Sequence, residues 1–198
     1  DYKVLRESLV NESFQKYLNE KDMSNVPINL KALKSLRELK VNYPIIDSIY
    51  LVRYTDQSVL SLGTIAKISD YGDHQFINSY IEQRSSQWTD GRLFREFPNQ
   101  GEKEVVSLTR PVPFYSKSKG FLVVNVSLES LHKGILEMYD PEVSYVRLLD
   151  RNGNEVYKEP VNQEKVQVLT RLTSNYTGWT IESGFIKSNF RRIMESIN

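Results

Sequence analysis

Gly120-Phe121-Leu122-Val123-Val124-Asn125-Val126-Ser127 is a nearly unbroken run of aliphatic, β-branched and aromatic residues. Such a run favours a strand. Side chains alternate across a strand, so Leu122, Val124, Val126 and Leu128 share one face, and Phe121, Val123, Asn125 and Ser127 share the other. One face is pure core. The other holds an amide among apolar neighbours, and a buried amide must bond to backbone or to a ligand.

Working outward, Glu104 to Val112 is a second β-rich run, separated from the first by a Pro- and Ser-containing turn. Before it lies Trp88-Thr89-Asp90-Gly91-Arg92, preceded by a polar helix with Phe76, Ile77, Tyr80 and Ile81 at helical spacing. Ile45 to Tyr54 and Val59 to Ile65 read as a hairpin turning at 55–58. The chain opens with two amphipathic helices, one carrying Leu5, Leu9, Val10, Phe14, Tyr17 and Leu18, the other Leu30, Leu33, Leu36 and Leu39. Asp22 to Pro27 separates them. Downstream, a short helix spans 130–138 and Asp140-Pro141-Glu142 forms a junction. A second β unit then runs through Val143 to Asp150, an Asn152-Gly153 turn, a strand through Tyr157, Val166 to Leu172 and Trp179 to Phe185. A helix with Phe190, Ile193 and Ile197 closes the chain.

The expected fold is therefore α+β: N-terminal helices followed by two antiparallel sheets in tandem. The expected divisions are a helical stalk at 1–44, a larger sheet unit at 45–138, a smaller one at 139–185 and a C-terminal helix at 186–198.

The 198 residues, 39% hydrophobic, 26% charged and 11% aromatic, describe a globular chain. Lysine plus arginine (26) nearly balances aspartate plus glutamate (25), which gives no electrostatic footprint for a nucleic-acid backbone. There is no cysteine, so disulfides and thiolate metal sites are excluded. No run approaches the length of a membrane helix. The opening Asp1-Tyr2-Lys3-Val4-Leu5 lies mid-helix without an initiator methionine and reads as the start of a segment taken from a longer protein.

The chain has only His74 and His132, no Gly-x-Ser-x-Gly elbow and no phosphate-binding glycine loop, so it is not expected to be an enzyme or to hold a cofactor. Asp70, Asp73 and His74 sit in a glycine turn that reads as a loop and not a metal site. Asp150, Asn152 and Asn154 mimic part of a calcium loop, but the glycine falls at Gly153 and Val161 stands where a glutamate is needed. Trp179 reads as core of the smaller unit. What remains is a polar and aromatic set on or beside the strands of the first sheet: Tyr50, Arg53, Trp88, Arg92, Arg110, Tyr115 and Asn125. A site for a polar small molecule needs an aromatic wall and convergent donors, and this set supplies both. Trp88 would form the wall, with core packing as its alternative. Arg92 and Arg110 would fork onto a carboxylate or hydroxyls, with surface glutamates as their alternative partners.

The order of elements, together with Ile46 to Leu51, Val105 to Pro113, Gly120 to Val126, Asp150 to Tyr157 and Thr177 to Ile181, resembles the double Cache sensors. Those are PAS-like extracellular domains of bacterial transmembrane regulators, either sensor histidine kinases or AraC-type transcription regulators. The resemblance implies a ligand-sensing module outside the cell membrane, flanked by membrane helices. It also implies a small solute, first of all a sugar or oligosaccharide. The apolar stripe of the N-terminal helix would serve as a homodimer seam, with packing on its own sheet as the alternative and both able to hold along different lengths of it. The amino-acid-binding pattern of that family does not lay onto Tyr80, Arg84 and Trp88. The rival readings are a hydrolase of surface polysaccharide and a pocketless scaffold that senses through a protein partner.

Overall fold

The computed structural model describes residues 12–83, 88–112, 117–137, 144–156 and 166–186. The chain divides into two compact units, Asp1–Ser127 and Leu128–Asn198. It is an α+β protein whose sheets are wholly antiparallel.

The first unit begins with α1 (Glu12–Asn19) and α2 (Val26–Asn42). Asn25 caps α2 by accepting the Ile28 amide, and Pro27 sits in its first turn, where a missing N–H costs nothing. Strands β1 (Ser48–Arg53), β2 (Ser58–Ser61) and β3 (Ile65–Lys67) follow, then α3 (His74–Gln83), β4 (Arg92–Phe94), β5 (Lys103–Val112) and β6 (Gly120–Ser127). The sheet order is β3-β2-β1-β6-β5-β4. The expected single strand from Val59 to Ile65 is broken after Ser61, because the Ser61 hydroxyl accepts the amides of Gly63 and Thr64 and turns the chain.

β1 and β6 are neighbours at the centre of this sheet, and both faces are covered. All eight residues of β6 are buried. On one face Ile49, Leu51, Leu108, Val112, Leu122 and Val124 meet Phe14, Tyr17, Leu18, Ala32, Leu36 and Leu39 of the two helices. The N-terminal helices thus share the sheet's own core. Within α2 the buried stripe is Asn29, Ala32, Leu36 and Leu39, while Leu30, expected inside, is 58% exposed. On the other face Tyr50, Val52, Val105, Phe121 and Val123 meet Ile77 and Tyr80 of α3.

Central pairing is close enough to require glycine at Gly120, where a Cβ would stand 2.0 Å from the Val52 carbonyl oxygen. Directly across from Gly120 in the register, Arg53 is fully buried. Its Nε and Nη2 each donate to Asp56 at 2.9 Å, its Nη1 donates to the Tyr17 carbonyl at 2.9 Å, and its guanidinium lies 4.3 Å from the Tyr17 ring centre. This arginine locks the last turn of α1 to the β1–β2 turn.

The second unit contains α4 (Leu128–Leu136), β7 (Ser144–Leu149), β8 (Val166–Thr173) and β9 (Thr180–Ile186), with sheet order β7-β9-β8. The calcium-like Asp150 is the hinge of the turn after β7: its carboxylate accepts the amides of Asn152 and Asn154, and Gly153 takes the left-handed conformation at φ 81°. Trp179 is buried, as core packing requires. Glu182 on β9 is fully buried between Arg147 on β7 and Arg171 on β8, its directly opposite cross-strand partners, and pairs with both. Arg147 also donates to Glu155 at 3.0 Å. The expected closing helix, and the strand end at Tyr157, lie outside the described residues.

Two outcomes follow. Gly120→Ala must push β6 away from β1 and should cost about 3 kcal/mol or more in urea denaturation. Burial alone would raise the Glu182 carboxyl, but hydrogen bonds from Arg147 and Arg171 outweigh it and hold the group below its ordinary value. The unfolded chain therefore binds this proton more readily, and the stabilisation is complete above the ordinary value of 4.5 and lost as pH falls through the depressed folded value. Thermal melts between neutral and acid pH should show that loss, and it should shrink in Glu182→Gln.

Candidate functional site

The α3-facing side of the six-stranded sheet is mostly apolar but carries one row of polar side chains bonded across three strands. Register places Ser48 on β1 opposite Asn125 on β6, and Asn125 opposite Ser107 on β5, so three polar side chains run across the strands on one face. They are bonded in series: the Asn125 amide donates to the Ser48 hydroxyl at 2.9 Å, and the Ser107 hydroxyl donates to the Asn125 carbonyl oxygen at 2.6 Å.

Arg92, the first residue of β4, extends this row. Its Nε donates to the Ser107 hydroxyl at 2.7 Å and one Nη reaches Asn125 at 3.3 Å. Both Nη atoms also fork onto the Asp73 carboxylate at 2.7 Å each. Tyr50 donates its hydroxyl to the same carboxylate at 2.6 Å. The guanidinium lies 3.5 Å from the centre of the Phe76 ring, a desolvated cation–π contact. Asp73 directly precedes α3, and the Ile77 amide bonds its carbonyl, so the network grips the N-terminal end of that helix. Burial and then the adjacent Asp73 push the Tyr50 hydroxyl well above its ordinary value, which keeps it a donor. Burial alone would lower Arg92; the Asp73 carboxylate outweighs it, and the guanidinium is held more firmly charged.

Of the seven residues singled out in the sequence, three converge here: Tyr50, Arg92 and Asn125. Arg53 does not, because it alternates with Tyr50 along β1 and is spent on Asp56 and Tyr17. Trp88 is half-buried, bridges to Leu108 and packs against the helix-side core, so it is no wall for this network. Arg110 lies in the strand row of Leu108 and Val112, which belongs to that same opposite side. Tyr115 lies outside the described residues. Three residues were missed: Asp73, Ser107 and Ser48. The alternation of β5 does carry a signal, since Ser107 and Thr109 fall in one row, alternating with Val106, Leu108 and Arg110, but only the strand order reveals that the row meets Asn125.

Ser48 also opens onto a cleft of about 210 Å³ at the end of the sheet where β1 and β5 begin. Lys40, Asp47, Ile49, Leu62, Phe94, Arg95, Glu96, Gln100, Gly101 and Lys103 complete its lining. Lys103 pairs with the Asp47 carboxylate, and Lys40 donates to the Asp47 carbonyl at 2.8 Å. Glu96 accepts the Ser61 hydroxyl at 2.5 Å. The cleft and the Asp73–Arg92 pair are thus two ends of one bonded path. Among the described residues no group of three histidine, aspartate or glutamate side chains is arranged to hold a metal; His74 instead places Nδ1 2.9 Å from the Tyr71 carbonyl.

Cutting one partner out of the buried pair leaves a desolvated charge behind. Asp73→Ala should therefore destabilise the chain by about 3–5 kcal/mol in urea titration. Replacing both partners, Asp73→Leu with Arg92→Met, should cost less than the sum of the two single changes.

No protein-family model matches this sequence, and no curated protein does. Solved structures do. The chain is similar to the ligand-binding domain of the Pseudomonas aeruginosa amino acid chemoreceptor PctB in complex with L-Arg, with 14% identity and a TM-score of 0.60 over 99% of this chain and 85% of that one. It is similar to an extracellular domain assigned to the histidine kinase vpHK1S-Z8, with 12% identity and a TM-score of 0.61 over 97% and 86%. It is also similar to the ligand-binding domain of Mlp24 with asparagine, with 15% identity and a TM-score of 0.58 over 98% and 86%. No described helix is long and apolar enough to cross a membrane. The chain has the fold of extracellular sensor domains carried by chemoreceptors and histidine kinases.

Proposed function

We propose that this chain is the extracellular ligand-sensing domain of a bacterial transmembrane signalling protein, taking a small polar solute in its first unit. The observation that carries this reading is the bonded path from the cleft through Ser48, Asn125, Ser107 and Arg92 to Asp73 at the head of α3. A solute held at Ser48 competes for one end of that path, and the other end holds a helix. Binding energy in the cleft is thereby convertible into a preference between two settings of α3, to the extent that affinity differs between them.

A non-catalytic role accords with how the buried and half-buried acids are used. Asp73 is committed to Arg92 and Tyr50, Asp56 to Arg53, and Glu182 to two arginines, which makes them structural anchors instead of acid–base groups. The shared fold supports membrane signalling, and the L-Arg and asparagine held by PctB and Mlp24 support a solute of metabolite size. The output we favour is a kinase or an AraC-type regulator on the far side of the membrane. Homodimerisation along the N-terminal helices belongs to the same proposal.

A thermal-shift screen of amino acids, organic acids, monosaccharides and oligosaccharides tests the reading. A sensor should show a saturable rise in melting temperature with at least one class, reaching about 2.7 kcal/mol of stabilisation at a hundred times Kd. A panel without any saturable shift would overturn direct sensing.

A further inference from the structure

We infer that the cleft where β1 and β5 begin is a site for a small hydroxylated carboxylate of monosaccharide size, a sugar acid; this rests on the sensing function proposed above and names its place and ligand class. The charge balance argues for an anion. Three cations, Lys40, Arg95 and Lys103, face two carboxylates, Asp47 and Glu96. Both acids are already engaged by the protein: Asp47 by Lys103, and Glu96 by the Ser61 hydroxyl at 2.5 Å. Arg95 is not engaged to the same degree. Its nearest carboxylate, Glu102, is 4.0 Å away, and both side chains are more than a third exposed, where an ion pair contributes little. A guanidinium so placed is a fork for an incoming carboxylate. A zwitterion fits less well, because its ammonium would add to the cationic surplus.

The remaining lining suits hydroxyl groups on a compact skeleton. Ser48 already accepts the Asn125 amide, so its own proton is available to donate. Gln100 and the second oxygen of Glu96 add amide and carboxylate positions. Phe94, Ile49 and Leu62 supply an apolar wall. The size agrees as well: a cavity of roughly 150 Å³ admits benzene, so about 210 Å³ accommodates a single six-membered ring with substituents. A longer oligosaccharide does not fit within it. This cleft is also apart from Trp88 and Arg110, which lie toward the far half of β5.

Isothermal titration of the full chain with D-galacturonate and D-glucuronate, against D-galactose, D-glucose and L-glutamine, tests the assignment. At least one uronate should bind, its neutral parent sugar should bind about tenfold or more weakly, and added salt should weaken the uronate. Arg95→Gln and Lys40→Gln remove exposed side chains, so each should leave the unliganded melting temperature unchanged while weakening uronate binding by about tenfold. Equal binding of uronate and neutral sugar, uronate binding insensitive to both variants, or no uronate binding would each overturn the inference. If another class of the wider screen then binds and ignores Arg95 and Lys40, the cleft assignment fails while direct sensing stands; if nothing binds, both fail.

Discussion

A strand covered on both faces has no water on either side, so every polar group it carries must be satisfied by another part of the protein. β1 and β6 are in that position, side by side at the centre of the larger sheet. Their pairing at Gly120 sets a separation that no Cβ tolerates, and the two core layers are built outward from it. Each layer is then pegged by one arginine. On the helix side Arg53 fixes α1 through the Tyr17 carbonyl, and on the α3 side Arg92 fixes the head of that helix through Asp73.

The two arginines are chemically alike yet functionally distinct. Arg53 is enclosed, with Asp56 three residues away and no route to solvent. Such a closed clamp specifies geometry. Arg92 retains some exposure and belongs to a chain of bonds that continues across three strands to Ser48. In a medium of low dielectric these bonds polarise one another, so a change at one end alters the balance at the other. In the sensor proposed above, that difference would suit the α3 side, and not the side of the N-terminal helices, to conveying occupancy.

The smaller sheet follows the same rule with fewer strands. Glu182 lies in the central strand β9 and is answered on both sides by directly opposed arginines. Leu172 and Ile181, which alternate with Arg171 and Glu182 along their strands, are exposed. Breaking one member of such a ladder is more damaging than never having built it.

The amino-acid sequence by itself determined the fold class, because periodicity is local: the period-two runs at 104–112 and 120–127 and the helical stripe at Ile77 and Tyr80 each follow from a dozen neighbouring residues. It also marked Tyr50, Arg92 and Asn125 as polar or aromatic groups on strands. It did not separate them from Arg53 and Arg110, since the face a residue shares with another strand depends on register and strand order, nor did it reveal that Trp88 packs on the helix side. β4, only three residues long, has no period to read. Asp73, standing in a loop, acquired its role only when the sheet brought Arg92 to it, nineteen residues away in sequence. Tertiary structure alone decided the cleft, whose lining comes from α2, β1, the β2–β3 turn and the segment 94–103. No local pattern encodes the meeting of four separate segments; only the assembly of the sheet does.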